Sequence, residues 1–146
     1  MKLGTEQIKE LIPHREPFLF LDSVLEIEKG RMVKAEKLFS PEEFFFRGHF
    51  PGNPVVPGVI LAEAMAQAGG VLFKYSFGKE VEEKGFDNAY LMGLDCCRFR
   101  TPVVPGNRVV LEVELVRRRS RVMFFSAVAF VDGKKVAEGE ISAWLV

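Results

Sequence analysis

The stretch from Arg47 to Glu63, Arg-Gly-His-Phe-Pro-Gly-Asn-Pro-Val-Val-Pro-Gly-Val-Ile-Leu-Ala-Glu, decides how the rest of the chain folds. Three prolines and three glycines fall between Gly48 and Val59, and an apolar pattern follows them. Proline fixes the backbone angle φ and glycine permits sharp turns, so the first part is predicted to be a rigid connector. The apolar part is predicted to be a helix. We expect the connector and the helix to determine both the architecture and the chemistry.

The predicted helix runs from Gly58 to about Phe77 and is apolar on almost every side. A helix of that kind is enclosed by other parts of the protein. Its small residues would let a neighbouring element approach the backbone closely; they are Ala62, Ala66, Gly69 and Gly70. The polar and charged segment from Gly78 to Asn88 predicts a surface loop after the helix.

The segments on either side of this helix predict a sheet. Before it, the pattern predicts a short helix capped by Thr5, two strands and a helical turn, at residues 5–11, 22–27, 31–39 and 41–46. After it, alternating segments predict an antiparallel meander of about four strands at residues 89–100, 107–118, 121–131 and 134–146. The Asp132-Gly133 pair is a strong hairpin signal. The sequence therefore predicts an α+β fold, in which a curved antiparallel sheet of about six strands wraps a long central helix in a single domain, residues 1–146.

Composition excludes several classes of protein. The 146 residues are 48% apolar and 27% charged, which is typical of a soluble globular domain. Basic and acidic residues balance at 20 each, so no overall field favours nucleic acid or an anionic membrane. The longest apolar run, from Val59 to Phe73, is too short to span a bilayer.

Two cysteines and two histidines limit the redox and metal chemistry. Cys96 and Cys97 are neighbours on a predicted strand, where adjacent side chains point to opposite faces, so no disulfide is expected between them. We expect both to be buried, inert thiols in a reducing cytoplasm. His14 and His49 show no ligand spacing with the cysteines, so neither a metal nor a cofactor is predicted. His14 lies between two prolines and is expected to fix its loop rather than to take part in catalysis.

Glu63 is the first candidate for chemistry, because it lies among alanines and large aliphatic residues of the predicted helix. Burying an ionised carboxylate costs several kcal/mol unless the charge is paired, so burial favours the neutral acid. A neutral carboxyl can act as a general acid. The alternative is that Glu63 caps the helix, pairs with an arginine or faces solvent.

His49 is the natural partner of Glu63, because histidine titrates near neutral pH and the connector would hold it rigidly. It is a candidate general base, although a purely structural histidine remains the alternative. The helix start offers a third element, since Gly58 and Val59 present free N–H groups at the positive end of the helix dipole. Such a site can bind a carbonyl oxygen that gains negative charge during a reaction.

A basic cluster, Arg117-Arg-Arg-Ser-Arg121, lies at a predicted hairpin. It predicts either an ordinary solvated turn or a surface that binds an acidic partner. The cluster is short and has no interleaved aromatic residues, which argues against nucleic acid.

Three pieces of the chain resemble a known family. They are Leu11-Ile-Pro-His-Arg-Glu-Pro-Phe-Leu-Phe-Leu-Asp22, the stretch from Gly48 to Glu63 with Gln67 following, and Arg98-Phe-Arg-Thr-Pro-Val-Val-Pro-Gly106. With them, the chain resembles the (3R)-3-hydroxyacyl-[acyl-carrier-protein] dehydratases of the FabZ type from bacterial fatty acid synthesis, which have the hot-dog fold. The resemblance covers nearly the whole chain.

The resemblance implies that the chain converts a 3-hydroxyacyl thioester into a trans-2-enoyl thioester and water. His49 matches the histidine that takes the C2 proton, and Glu63 matches the carboxyl that protonates the departing hydroxyl. Gly58 matches the glycine whose N–H polarises the thioester carbonyl, with Val59 beside it, and Gln67 is expected to support the acid. The sister type that also isomerises its product has Asp in place of Glu63 and typically Cys in place of Val59, so isomerisation is not expected.

The resemblance also implies partners. The substrate would be attached to acyl carrier protein through phosphopantetheine, and the carrier would dock on Arg117, Arg118 and Arg121. The chain would form a homodimer in which each site takes the histidine from one subunit and the carboxylate from the other, with three dimers in a hexamer. A hot-dog thioesterase and a non-catalytic carrier-binding subunit remain as other functions. His49 favours dehydration over hydrolysis, because hydrolysis removes no C2 proton.

Overall fold

The computed structural model describes residues 2–146, so Met1 of the predicted 1–146 domain lies outside the described residues. Helix α1 (Thr5–Leu11) is followed by strands β1 (Ser23–Glu28) and β2 (Met32–Leu38), a 3-10 turn (Phe44–Arg47) and helix α2 (Gly58–Glu83). The remaining strands are β3 (Ala89–Phe99), β4 (Arg108–Arg119), β5 (Val122–Val131) and β6 (Lys134–Leu145). The predicted α+β fold with six antiparallel strands is confirmed.

The six strands form one sheet in the order β1-β2-β4-β5-β6-β3. Strands β4, β5 and β6 form the predicted meander, and Asp132 and Gly133 both have positive φ, as a tight hairpin turn requires. The predicted place of β3 in that meander is wrong, because β3 pairs with β6 at the far edge. The following loop crosses back over the sheet: Arg100 N donates to Val136 O at 2.7 Å, and Gly106 N donates to Phe39 O at 2.7 Å.

Helix α2 packs on one face of the sheet, and its buried residues include Met65, Val71 and Leu72. The alternation predicted for β4 is confirmed at its core positions, since Val109, Leu111 and Val113 are all buried. The close approach expected of the small helix residues occurs at Gly69, where a Cβ would lie 3.3 Å from the ring of Phe125 on β5. The sheet therefore reaches the helix backbone itself.

Helix α2 continues to Glu83, so the loop predicted from Gly78 is wrong over its first part. The backbone bends at Phe77, where φ is −131° and ψ is 17°, and the helix then resumes. Val81 is buried in the core, whereas the charged residues of this turn lie outward. A salt bridge of 3.7 Å between Lys74 Nζ and Glu82 Oε1 spans the bend. Residues 78–83 are helical because the apolar side chain of Val81 packs against the core.

Helix α1 begins as predicted but is capped differently. The N-cap is Gly4, whose N–H donates to Gln7 Oε1 at 2.9 Å, and Thr5 is already inside the helix. Thr5 Oγ1 instead donates to Asp22 O at 2.9 Å, which ties α1 to the start of β1. Within residues 2–146, neither helix combines the length and the apolar character needed to cross a membrane.

Candidate active site

The connector holds His49 in one orientation. Its ring lies on that of Phe50, with the centroids 4.1 Å apart, and its Nδ1 lies 2.9 Å from Val55 O. The backbone closes around it, because Val55 N donates to His49 O at 2.9 Å. A carbonyl oxygen only accepts, so Nδ1 carries the hydrogen, and in the neutral ring Nε2 then has a free lone pair. That is the tautomer that a general base needs.

The start of α2 presents the predicted N–H groups. Pro57 is the N-cap, and the N–H groups of Gly58 and Val59 have no partner inside the helix because they belong to its first turn. The ring of Phe99 lies beside Gly58, and together they line an open cavity of about 230 Å3. Val59 is 74% exposed, although the rest of this helix is largely buried.

Glu63 lies one turn after Val59 and is held by Gln67. Gln67 Nε2 donates to Glu63 Oε2 at 2.9 Å and to Phe18 O at 2.9 Å, while its Oε1 accepts from Phe20 N at 2.8 Å. The Phe20 N–H fixes which end of the amide is oxygen, so Nε2 must face the carboxyl. Gln67 is only 1% exposed, which locks this arrangement. Glu63 thus has polar neighbours, unlike the apolar setting expected from its neighbours in the sequence, and its side chain is 21% exposed.

His14 also reaches this site, and sequence reasoning missed it. Its Nε2 lies 3.4 Å from Glu63 Oε2. Its expected role in fixing the loop belongs to Arg15, whose guanidinium donates to Ile12 O at 2.9 Å, to His14 O at 2.7 Å and to Lys9 O at 3.0 Å. The only sequence signal was its place in a motif of the resemblance, because no local pattern links residue 14 to a helix some fifty positions away.

Glu63 and His14 line a cavity of about 120 Å3 between α2 and the sheet. Its wall is mostly apolar, and its polar side chains are His14, Glu63, Gln67, Lys74, Asp87 and Asn88. Neither His49 nor Gly58 is part of this wall. A single chain therefore brings Glu63, Gln67 and His14 together but does not place His49 in the same cavity.

The three arginines considered for docking differ in their surroundings. Arg118 is bonded to Glu80 and lies over the rings of Phe73 and Phe77, at 5.2 and 4.8 Å from their centroids. The hydrogen bond from Arg118 lowers the pKa of the Glu80 carboxyl. Arg118 is thus engaged within its own chain.

Arg117 and Arg121 are both exposed. Arg117 lies over Phe124 at 4.2 Å from the ring centroid, and Arg121 lies over Trp144 at 5.5 Å. Each therefore has its charged group over an aromatic surface and open to a partner.

The cysteines are less buried than expected. Cys96 is exposed at a bulge in β3, where its φ is +53°, and Cys97 is partly buried. Burial raises the pKa of the Cys97 thiol. The expectation of two buried thiols is wrong because β3 is an edge strand, with one side of its backbone unpaired within residues 2–146.

The model of the FabA-like domain family matches residues 12–140, which defines the class of protein. The 3-hydroxyacyl-[acyl-carrier-protein] dehydratase FabZ of a Nitratiruptor species is 44% identical over 145 residues, covering 99% of this chain and 98% of that relative. The protein of the same name from Cronobacter sakazakii is 51% identical over 136 residues, covering 93% of this chain and 88% of the relative. The chain belongs to the FabZ family of dehydratases, as its sequence motifs predict, and it is an enzyme.

Solved structures support the fold. A chain of the dehydratase heterocomplex ApeI:P from Xenorhabdus doucetiae matches with a TM-score of 0.76 and 18% identity, covering 95% of this chain and 90% of that one. The virulence protein Cj0977 from Campylobacter jejuni matches with a TM-score of 0.66 and 18% identity, covering 97% of this chain and 88% of that one. The hot-dog fold is thereby confirmed.

Proposed function

We propose that the enzyme removes water from (3R)-3-hydroxyacyl-[acyl-carrier-protein] and forms trans-2-enoyl-[acyl-carrier-protein] in type II fatty acid biosynthesis. The observation that carries this proposal is the bond of His49 Nδ1 to Val55 O, which leaves Nε2 free as a base. The names of the FabZ relatives support the choice of substrate.

In the proposed reaction, His49 Nε2 takes a proton from C2 of the substrate. The electron pair of that C–H bond moves toward the thioester carbonyl, whose oxygen gains negative charge. The N–H groups of Gly58 and Val59 stabilise this oxygen, and one such donor is typically worth roughly 3–4 kcal/mol. The pair then forms the C2–C3 double bond as the C3–O bond breaks, and Glu63 gives its proton to the departing hydroxyl, which leaves as water. A proton returned from His49 to Glu63 through solvent completes the cycle.

We also propose that each working site is shared between two copies of the chain. Glu63 and His49 do not share a cavity in one chain. Strand β3 is eleven residues long and lies at the sheet edge with large apolar side chains exposed: Tyr90, Leu91, Met92, Leu94 and Phe99. An exposed apolar edge strand is a template for pairing with another chain. A second copy on β3 would cover it and could bring its own His49 to Glu63. Three such dimers would form the proposed hexamer.

The substrate's position follows from the walls of the site. The apolar cavity beside Glu63 would hold the acyl chain beyond C3. The exposed Arg117 and Arg121 would bind the acidic carrier protein, from which phosphopantetheine extends to the site. The proposed compartment is the cytoplasm, because Cys96 and Cys97 are free thiols.

The direct test is to incubate the purified enzyme with a 3-hydroxyacyl thioester. Dehydration predicts that enoyl absorbance rises while no free thiol is released. Release of free thiol would instead identify a thioesterase, which would use Glu63 to activate water. If neither signal appears with carrier-linked or short thioesters, the proposed reaction on these substrates is contradicted.

A further inference from the structure

The two oxygens of the Glu63 carboxyl have different surroundings. Two nitrogens converge on Oε2, namely Gln67 Nε2 at 2.9 Å and His14 Nε2 at 3.4 Å. Among the side chains and backbone groups of residues 2–146, none donates a hydrogen bond to Oε1. Oε2 accepts a hydrogen bond from Gln67, and a hydrogen on His14 Nε2 would face the same oxygen. Oε2 is therefore a poor place for a proton, since an O–H there would face those hydrogens.

The state of the His14 ring follows from its second nitrogen. His14 Nδ1 is buried and has no hydrogen-bond partner among the described residues. A hydrogen on Nδ1 would be a buried donor without an acceptor, which costs about 1–3 kcal/mol, and more in the charged imidazolium. A bare Nδ1 is also without a partner, but the hydrogen on Nε2 then faces an oxygen of Glu63. Of the two tautomers of the neutral ring, the favoured one therefore has its hydrogen on Nε2, on the side of Glu63 Oε2.

Charged groups surround His14, and an ionised Glu63 would favour the imidazolium form of the ring. Glu63 faces its Nε2, and the Arg15 guanidinium is engaged with backbone oxygens that include His14 O. Lys74 and Asp87 line the same cavity with opposite charges. An ion pair of imidazolium with carboxylate would leave Glu63 without the proton that a general acid must give.

We propose that His14 is a positioning residue for the acid, which keeps the transferable proton of Glu63 on Oε1. This inference rests on the proposed function and deepens it. Neutral His14 and Gln67 both donate to Oε2, so Oε1 holds the hydrogen and faces the hydroxyl at C3. When the C3–O bond breaks, the proton moves from Oε1 to the departing oxygen, and the new carboxylate charge is shared with Oε2. The hydrogen bonds from Gln67 and His14 to Oε2 are then charge-assisted and stronger. They therefore stabilise the transition state more than the bound substrate.

The proposal predicts a change in kcat rather than in KM. His14→Phe keeps a ring of similar shape without an N–H group, and kcat should fall about tenfold, the effect of one hydrogen bond to a charged group. KM should stay within about twofold, because the lost bond matters most in the transition state. His14→Gln restores a neutral N–H donor and should recover most of kcat.

Two results would overturn the proposal while the dehydratase function stands. One is a wild-type kcat in His14→Phe, and the other is a His14→Gln rate no better than that of His14→Phe. Equal melting temperatures of the variants show that the fold is intact. If the wild-type enzyme forms no enoyl product, the proposed function fails, and the role of His14 in it fails as well.

A measurement that needs no turnover examines the ring directly. Nitrogen-15 NMR of the wild-type enzyme at neutral pH separates protonated from bare ring nitrogens. His14 should show a protonated Nε2 and a bare Nδ1. An imidazolium, or a hydrogen on Nδ1, would contradict the inference even if every variant folds poorly.

Discussion

The ring of Phe99 lies so close to Gly58 that a Cβ at residue 58 would be 3.2 Å from its carbon atoms. Residue 58 starts the central helix, and Phe99 ends the edge strand β3. The proposed oxyanion donor thus lies under a side chain from the proposed subunit interface. The position of the Gly58 N–H group therefore depends on where the Phe99 ring lies.

Gly58→Ala should therefore lower kcat/KM by roughly tenfold to a hundredfold while keeping the N–H group, because small misplacements in a site cost rates of this order. Steady-state kinetics on a short 3-hydroxyacyl thioester would measure it. The matched control is Gly4→Ala, which also lies at a helix start but whose Cβ would meet nothing within 4 Å. Adding Phe99→Leu to Gly58→Ala should restore part of the rate. An unchanged kcat/KM in Gly58→Ala would show that the Phe99 ring moves aside without disturbing the site.

Glu63→Gln should lower kcat by roughly 10²–10⁴-fold, the usual contribution of a general acid, without lowering the melting temperature. Gln has the shape of Glu but has no proton to give. Glu10→Gln, on the exposed side of α1, is the control and should behave as wild type. A near-normal rate in Glu63→Gln would rule out its role as the acid.

Mixing two inactive variants tests whether sites are shared. In a shared-site dimer, His49→Ala and Glu63→Ala subunits together form one intact site, from the first chain's Glu63 and the second chain's His49. Unfolding and refolding an equal mixture should recover about a quarter of the wild-type rate, because half of the dimers are mixed and each has one good site of two. A mixture as inactive as its components would place both residues in the same chain's site.

Arg121→Glu should raise KM roughly fivefold to tenfold for carrier-linked substrates and leave short thioester analogues unaffected, since only the carrier contacts that surface. Kinetics with both substrate types would show the difference. Arg108→Glu serves as a charge-matched control, because Arg108 begins β4 at the end away from Arg121 and lies 3.5 Å from Glu36. Equal losses on both substrates for Arg121→Glu would remove the docking role.

The Arg118–Glu80 pair should stabilise the fold in a pH-dependent way. The pKa of Glu80 is lower in the folded protein than its ordinary value of 4.5, because Arg118 donates to the ionised carboxyl. The pair therefore stabilises the fold above pH 4.5, and that stability is lost as the pH falls through the lowered pKa. Glu80→Gln should thus melt slightly below wild type at pH 7, and the two should converge in acid. A constant difference at every pH would mean that the charge of Glu80 is not responsible.

Local features of the fold could be predicted from the sequence. The rigid connector, the helix from Gly58 and the Asp132-Gly133 hairpin each depend on neighbouring residues, and such patterns are visible in a single chain. The α2 extension past Phe77 was missed because its only apolar anchor, Val81, is surrounded by charged residues. The edge position of β3 was missed because alternation identifies a strand without naming its neighbour.

The candidate site was predictable only in part. Gly58, Val59 and Glu63 lie within one helical stretch, so their spacing was informative. The bond of Glu63 to Gln67 follows from the helical spacing of four residues. His14 comes from a distant loop, and only tertiary packing brings its ring to the carboxyl. The expected apolar setting of Glu63 failed for the same reason, since its polar neighbours include one that is remote in the chain.

The pairing of β3 with β6 also bears on when the proposed subunit pairing can begin during synthesis. Chains leave the ribosome from their N-terminal end, and β3 emerges well before Lys134–Leu145, the strand that supports it. Until that last strand is free, β3 has no neighbour to hold it flat, and its outer edge is not ready for a second copy. The proposed pairing through this edge is therefore expected only after β6 has folded against β3.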